Sequence, residues 1–390
     1  MYLDSKKKSE CSGCKACGYV CPVQAISFNY DQEGFWYPII DNDKCIHCNK
    51  CRTICPMDKH TTQKLVDENQ VYAVFSKDEE ILKRSTSGGA FTHFSNAILE
   101  KKGIIFGHTY SDDCKYVYCT SAENTTERNK FCGSKYVQSD MVSIYEKIVL
   151  LVKLGKDVLV TGTPCQIAAV NRLFEDKPHN LYTIDIVCHG VPSPGIFSEY
   201  IASIEKSTKK KIVNFRFRDK SFGWNKPNRV IEFNDHTYLS GPLSKDAYNF
   251  LFLVTDCILR PSCYSCPYAG TIRVSDISIA DFWGIDTVNM KMFNNNKGCS
   301  LVLLNSEKGK TLKKEILSKI TYAQLTLDVA QENNTPLCHP SITSKYRKSF
   351  FRNYRILGLK SGVNILKLYN FIYRVKNRIV RLFKRVCRVH

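Results

Sequence analysis

Two four-cysteine runs of one spacing, Cys11-x2-Cys14-x2-Cys17-x3-Cys21-Pro22 and Cys45-x2-Cys48-x2-Cys51-x3-Cys55-Pro56, lie within the first sixty residues. Three thiolates from one tight loop can grip three irons of a cubane while a fourth reaches in from elsewhere, so the spacing specifies a pair of 4Fe-4S clusters. In the crossed arrangement that goes with it, Cys11, Cys14, Cys17 and Cys55 hold one cluster, and Cys45, Cys48, Cys51 and Cys21 hold the second. Each Cys-Pro step suits a chain leaving its loop in an extended turn, because proline fixes its own φ and restricts the residue before it. Structural zinc sites use two separated cysteine pairs and four ligands in all, which two successive runs ending in proline do not match. Disulfides would call for an oxidising compartment and a secretion signal. Met1 to Glu10 is charged and has no apolar segment, so the expected location is the cytoplasm.

A further group, Cys257-x5-Cys263-x2-Cys266-Pro267, is one ligand short of a cubane, and Cys188 or Cys165 could complete it. The reading is a third 4Fe-4S cluster, with structural zinc as the competitor. Cys114, Cys119, Cys132, Cys299, Cys338 and Cys387 have no ligand spacing and read as small hydrophobes.

Three turns could also do chemistry. Ser85-Thr86-Ser87-Gly88-Gly89-Ala90 opens a predicted helix with hydroxyls and small residues, where amides and the dipole end suit a phosphate; simple helix capping is the alternative. Thr161-Gly162-Thr163-Pro164-Cys165-Gln166 follows an apolar strand and leads into an apolar helix, the kind of strand end at which open α/β sheets bind ligands. Cys165 then sits at a helix start, where a thiolate is favoured, unless it is simply packed. In Asp185-Ile186-Val187-Cys188-His189-Gly190-Val191-Pro192, His189 could donate to a cofactor, relay a proton, or be structural.

The elements that must position these turns alternate. Strands are predicted at Val71–Phe75, Gly103–Tyr110, Asp157–Thr161, Leu181–Val187, Ile212–Phe217 and Val230–Phe233, and helices at Ala90–Lys101, Asp140–Leu154 and Pro194–Lys206. The polar stretch 61–70 reads as a linker between a module at 1–60 and the body. At 390 residues and 43% hydrophobic content, the chain has enough material for that module and one or two ordinary globular units.

Taken in order, Thr86-Ser87-Gly88-Gly89, Gly133-Ser134-Lys135-Tyr136, Gly162-Thr163-Pro164-Cys165-Gln166, Cys188-His189-Gly190-Val191-Pro192-Ser193-Pro194, Phe215-Arg216-Phe217-Arg218-Asp219-Lys220, and Cys263-Tyr264-Ser265-Cys266 followed by Asp281-Phe282-Trp283-Gly284 resemble the family of coenzyme F420 hydrogenase/dehydrogenase beta subunits. The resemblance covers roughly Val71 to Lys319, behind a fused two-cluster ferredoxin module. It implies an FAD-containing iron-sulfur oxidoreductase that passes electrons between clusters and a two-electron organic donor or acceptor. A non-catalytic subunit linking ferredoxin or another redox protein to a partner enzyme is the second class. Carried over by position, Ser87, Gly88, Gly89, Lys135, Gly162, Thr163 and Cys165 are the flavin-site candidates. Lys135 and His189 are the catalytic candidates, with Arg216 and Arg218 as alternative sources of positive charge. Cys188, Cys257, Cys263 and Cys266 are the ligands expected for the third cluster. The fold expected is α+β: the ferredoxin-like module, a mixed α/β flavin-binding domain in two parts (71–150 and 151–340), and an amphipathic helix in a basic tail at 341–390.

The net charge of +19 is concentrated in that tail, since Lys345 to His390 holds fourteen Lys/Arg and no Asp or Glu. Leu368, Ile372, Val375, Ile379, Leu382 and Val386 recur at helical steps, interleaved with Arg374, Arg378, Arg381, Arg385 and Arg388. Such a helix suits an anionic membrane surface, which would put the chain at the inner face of the membrane; an acidic partner and packing on its own domain are the alternatives. Nucleic acid is not expected, because no recognition motif accompanies the charge. No run of eighteen uncharged apolar residues is present.

Overall fold

The computed structural model describes residues 1–58, 64–65, 70–285 and 296–386, with 64–65, 374 and 377–386 in backbone only. The first module is a hairpin, Ile26–Tyr30 against Trp36–Ile40, flanked by two one-turn helices, Ala16–Tyr19 and Lys50–Thr53, each carrying the third cysteine of its run. Of the expected linker, Lys64–Leu65, paired with Ile272–Arg273, and Gln70 are described; the rest of it lies outside the described residues.

Among the described residues the body is built on a nine-stranded mixed sheet. Its order is Ile320–Leu325, Val71–Ser76, Ser300–Leu304, Ile277–Asp281, Leu181–Ile186, Val158–Gly162, Ile104–Tyr110, Val117–Ala122 and Ser139–Asp140. The four strands from Ile277–Asp281 to Ile104–Tyr110 are mutually parallel. They carry short apolar runs because both faces are covered: Phe106, Val158 and Val160 pack on one side, Ile105 and Leu159 on the other. The sheet draws strands from both 71–150 and 151–340, so those two stretches share one core.

Expected and observed elements agree closely for the strands Val71–Ser76, Ile104–Tyr110, Val158–Gly162 and Leu181–Ile186 and for the helices Ala90–Glu100 and Pro194–Thr208, whereas the interior strands Ile277–Asp281 and Ser300–Leu304 were not expected. The expected helix Asp140–Leu154 instead opens as a strand residue pair and a 3-10 turn, with α-helix only over Tyr145–Lys153. A three-stranded antiparallel sheet, Ile212–Asp219, Asn228–Phe233 and Tyr238–Pro242, stands apart from the main one and packs its aromatic face on helix Pro194–Thr208.

The tail forms a helix, Arg347–Val386, broken at Gly358, whose φ of 75° is left-handed. Phe350, Phe351, Leu359, Val363 and Leu366 are buried against the body, and Tyr354 donates to Glu199 at 2.6 Å. Beyond them Leu368, Phe371, Ile372 and Val375 are exposed. The side chains of Arg374, Arg378, Ile379, Arg381, Leu382, Arg385 and Val386, and all of Arg388, lie outside what is described. Among the described residues no helix is long and apolar enough to cross a membrane.

Candidate functional site

A cavity of about 580 Å³ opens at the carboxyl ends of the parallel strands and gathers most of the turns singled out above. Ser87 and Gly89, Ser134 to Tyr136, Gly162 and Thr163, Cys188 to Pro192, and Asp281 and Trp283 all line it. Thr86 joins two of these motifs, its hydroxyl accepting from the Ser134 amide at 3.0 Å. Ser87 donates its hydroxyl to the Cys299 carbonyl at 2.6 Å, so it is tied to the strand behind. Gly88 sits behind the wall: its amide donates to Ser300 Oγ at 2.9 Å, and a Cβ there would lie 2.2 Å from the Val74 carbonyl. Gly89 caps helix Ala90–Glu100 with φ 89°, a conformation that favours glycine.

The candidate catalytic residues are both on the wall. His189 Nε2 meets Asp256 Oδ1 at 2.7 Å, and its ring rests edge-on against Phe252. Lys135 turns its ammonium onto the carbonyls of Phe131, Cys132 and Gly133 at 3.0–3.2 Å. Burial lowers its pKa to about 8. Three carbonyls for three N–H donors make Lys135 a clasp on its own turn rather than a charge aimed into the cavity. Arg216 is an exposed partner of Asp219, whereas Arg218 is buried, paired with Asp281 and stacked on Trp283 at 4.8 Å. Trp283 in turn lies parallel to Trp224 at 4.9 Å.

Sequence reasoning missed His108, Ser139 and Gln166, which form a polar chain on the cavity wall. His108 Nε2 faces the Thr161 carbonyl at 2.9 Å, and a carbonyl only accepts, so the proton is on Nε2 and Nδ1 accepts from Ser139 Oγ at 2.7 Å. Gln166 donates to Ser139 and accepts from the Thr163 amide. Burial pushes the His108 pKa down to about 4, in keeping with this neutral form. The signal for it was a histidine breaking an apolar strand, which spacing alone does not single out.

Among the described residues no three His, Cys, Asp or Glu side chains converge closely enough to hold a single metal ion. The thiols group instead by the charge each would impose on the next. Burial first, then Cys55 and Cys11, raise the Cys14 pKa to about 12; Cys17 responds to Cys14, Cys11 and Cys55 after burial. Cys21 lines a separate cavity of about 140 Å³ with Cys45, Cys48 and Cys51. Cys55 thus lies with the thiols of the first run and Cys21 with those of the second.

The third set differs from expectation in one member. Cys188 is raised first by burial, then by Cys263, Cys165 and Cys266, and Cys263 by burial, then by Cys266 and Cys165. Cys165 is therefore with these thiols, and it does not line the large cavity. Cys257 is apart: Thr255 donates to its sulfur at 3.2 Å, and its own S–H points back to the Leu251 carbonyl inside an aromatic core. The short irregular turn from Leu253 to Arg260 carries it away, so nearness in sequence misled. Buried thiols that raise one another cannot ionise alone, and a cationic iron cluster reverses that balance, so these donors fit such a group.

Residues 155–327 match the family model for the C terminus of the coenzyme F420 hydrogenase/dehydrogenase beta subunit, and residues 10–59 match that for the 4Fe-4S dicluster domain. The chain joins these two domains. Over 230 residues it is 25% identical to the F subunit of F420H2 dehydrogenase from Methanosarcina mazei, covering 54% of this chain and 63% of that relative, which is less than two thirds of its length. The N-terminal module is 40% identical over 55 residues to a ferredoxin-like protein in the nif region of Rhizobium leguminosarum bv. trifolii, covering 13% of this chain and 78% of that one. A solved F420-reducing hydrogenase complex from Methanosarcina barkeri superposes with a TM-score of 0.48 at 18% identity, covering 77% of this chain and 96% of its own. The chain is thus an iron-sulfur protein related to the subunits of F420 hydrogenases and dehydrogenases.

Proposed function

We propose that this chain is an iron-sulfur flavoprotein oxidoreductase in which single electrons travel through three thiol-held 4Fe-4S clusters to FAD in the large cavity, where a small organic donor or acceptor reacts. Cys188 carries the reading, because it belongs to the third thiol set and also lines the cavity. The sets follow one another: Cys17 responds to Cys51 of the second loop, and Cys14 to Cys165 of the third set. A cavity of this size lies within the range of about 300–1,000 Å³ common for cofactor sites. FAD, when bound, would take electrons singly and release them as a pair.

The chain's own residues have definable roles. The amides opening helix Ala90–Glu100 would bind phosphate oxygens. Trp283 on the cavity wall, stacked on the buried Trp224 and on Arg218 of the Arg218–Asp281 pair, would offer an aromatic contact to a planar ring. Asp256 fixes the proton of His189 on Nε2, which leaves Nδ1 to accept a proton in the cavity.

Anaerobic purification with assay of iron, sulfide, zinc and flavin tests this reading. About twelve irons and one FAD per chain are expected. About eight irons, with no flavin and no reaction with small molecules, would make the chain a carrier serving a partner enzyme. Cys263→Ser should remove about four irons and Cys257→Ser none.

A further inference from the structure

Arg260 is fully buried under the first cysteine loop. Its Nε donates to the Cys11 carbonyl at 2.6 Å, Nη1 to Gln138 Oε1 at 2.9 Å, and Nη2 both to the Trp36 carbonyl at 2.9 Å and to Cys11 Sγ at 3.3 Å. The guanidinium lies 4.4 Å from the Tyr37 ring centre. None of these acceptors is a carboxylate, and the acids of the adjoining hairpin turn are committed elsewhere, Asp31 to Lys8 and Glu33 to Arg347. A guanidinium stripped of water needs an anion beside it. Burial opposes its charge, while Cys11, then Tyr37 and Cys263, favour it. The thiol its guanidinium touches is therefore Cys11, a ligand of the first set.

We propose that Arg260 raises the reduction potential of the cluster held by Cys11, Cys14, Cys17 and Cys55, so that this cluster accepts electrons from the exposed one and relays them toward Cys165, Cys188, Cys263 and Cys266. A hydrogen bond to a ligand sulfur and a nearby buried cation both favour the more negative, reduced state. The loop is shaped to receive the cation: a Cβ on Gly13 would lie 2.7 Å from Arg260 Nη1 and 2.3 Å from Gln138 Nε2.

The inference rests on the assignment of those four cysteines to one cluster, which the iron and sulfide content and EPR spectrum of the unaltered chain test separately. The full-length protein, purified anaerobically, is then examined by EPR at fixed potentials. In Arg260→Gln the ratio of reduced to oxidised first cluster should fall at least tenfold, a downward shift of about 59 mV for one electron, with the Cys45, Cys48, Cys51 and Cys21 cluster unmoved. Arg260→Lys, which keeps the charge but loses the planar fork, should shift it less. Because Arg260→Gln also cuts bonds that hold the loop, Gln138→Glu provides a second route. It sets a carboxylate against the guanidinium and leaves the bonds to Cys11 and Trp36, giving up instead the bond from Gln138 Nε2 to the Ser12 carbonyl, and should move the same cluster in the same direction. An unchanged potential in Gln138→Glu, or equal shifts of both clusters in any variant, would overturn the proposal.

Discussion

Gly13 and His47 hold the same place in the two cysteine runs, and both have left-handed backbone, with φ of 72° and 52°; Lys15 and Asn49 repeat the match at 64° and 59°. As backbone the loops are near copies, and what lies against them differs. The first is enclosed: Trp36 donates to the Gly13 carbonyl at 2.8 Å, Tyr145 to the Cys14 carbonyl at 2.7 Å, and Arg260 to Cys11. Lys15 pairs with Asp140 of the main sheet and covers the Trp36 ring. The second loop leaves Cys48 and Ile46 exposed. Ligand spacing therefore specifies a cluster, while the surroundings decide what that cluster does. The open loop is suited to receiving electrons from outside and the enclosed one to relaying them inward.

Exchanging the loop residues should break the symmetry most sharply. In Gly13→His the new side chain starts inside Gln138 and Arg260, and overpacking of this kind should cost about 3 kcal/mol or more together with iron from the first cluster. The reverse change, His47→Gly, has open space and should alter stability by less than about 1 kcal/mol. Denaturant melting and iron analysis of both variants would show it, and equal losses would contradict the distinction. Tyr145→Phe, which strands the buried Cys14 carbonyl, should destabilise by about 1–3 kcal/mol in the same assay. At the small end, Arg52→Ala removes the ion pair with Asp4 beside the second loop. Both partners are about half exposed, so less than about 1 kcal/mol is expected.

The contrast also explains what the sequence made legible. The eight N-terminal cysteines could be read because their chemistry is local, a loop of fixed spacing, and three of the four parallel strands because burial on both faces writes unbroken apolar runs; the fourth, Ile277–Asp281, was not expected, since Ser278 and Asp281 interrupt its apolar run, and neither was its buried neighbour Ser300–Leu304. The flanking strands Val117–Ala122 and Ile320–Leu325 escaped notice because their polar, partly exposed residues blur the period. The third thiol set was harder, since its members come from three separate segments. Which of Cys165, Cys188 and Cys257 joins Cys263 and Cys266 depends on how a strand end, a turn and a short helix meet. His108 stayed hidden for the same reason: its partners Ser139 and Thr161 are neighbours only across the sheet.

At the centre of this account, electrons reach the cavity through Cys165, Cys188, Cys263 and Cys266. Rapid mixing of the anaerobic holoprotein with a one-electron donor, following clusters and flavin together, compares the unaltered chain with Cys263→Ser. The prediction is that both ferredoxin-type clusters of the variant still reduce while flavin reduction is lost, with flavin content unchanged. Flavin reduced at the original rate in a variant lacking the third set of irons would contradict the account.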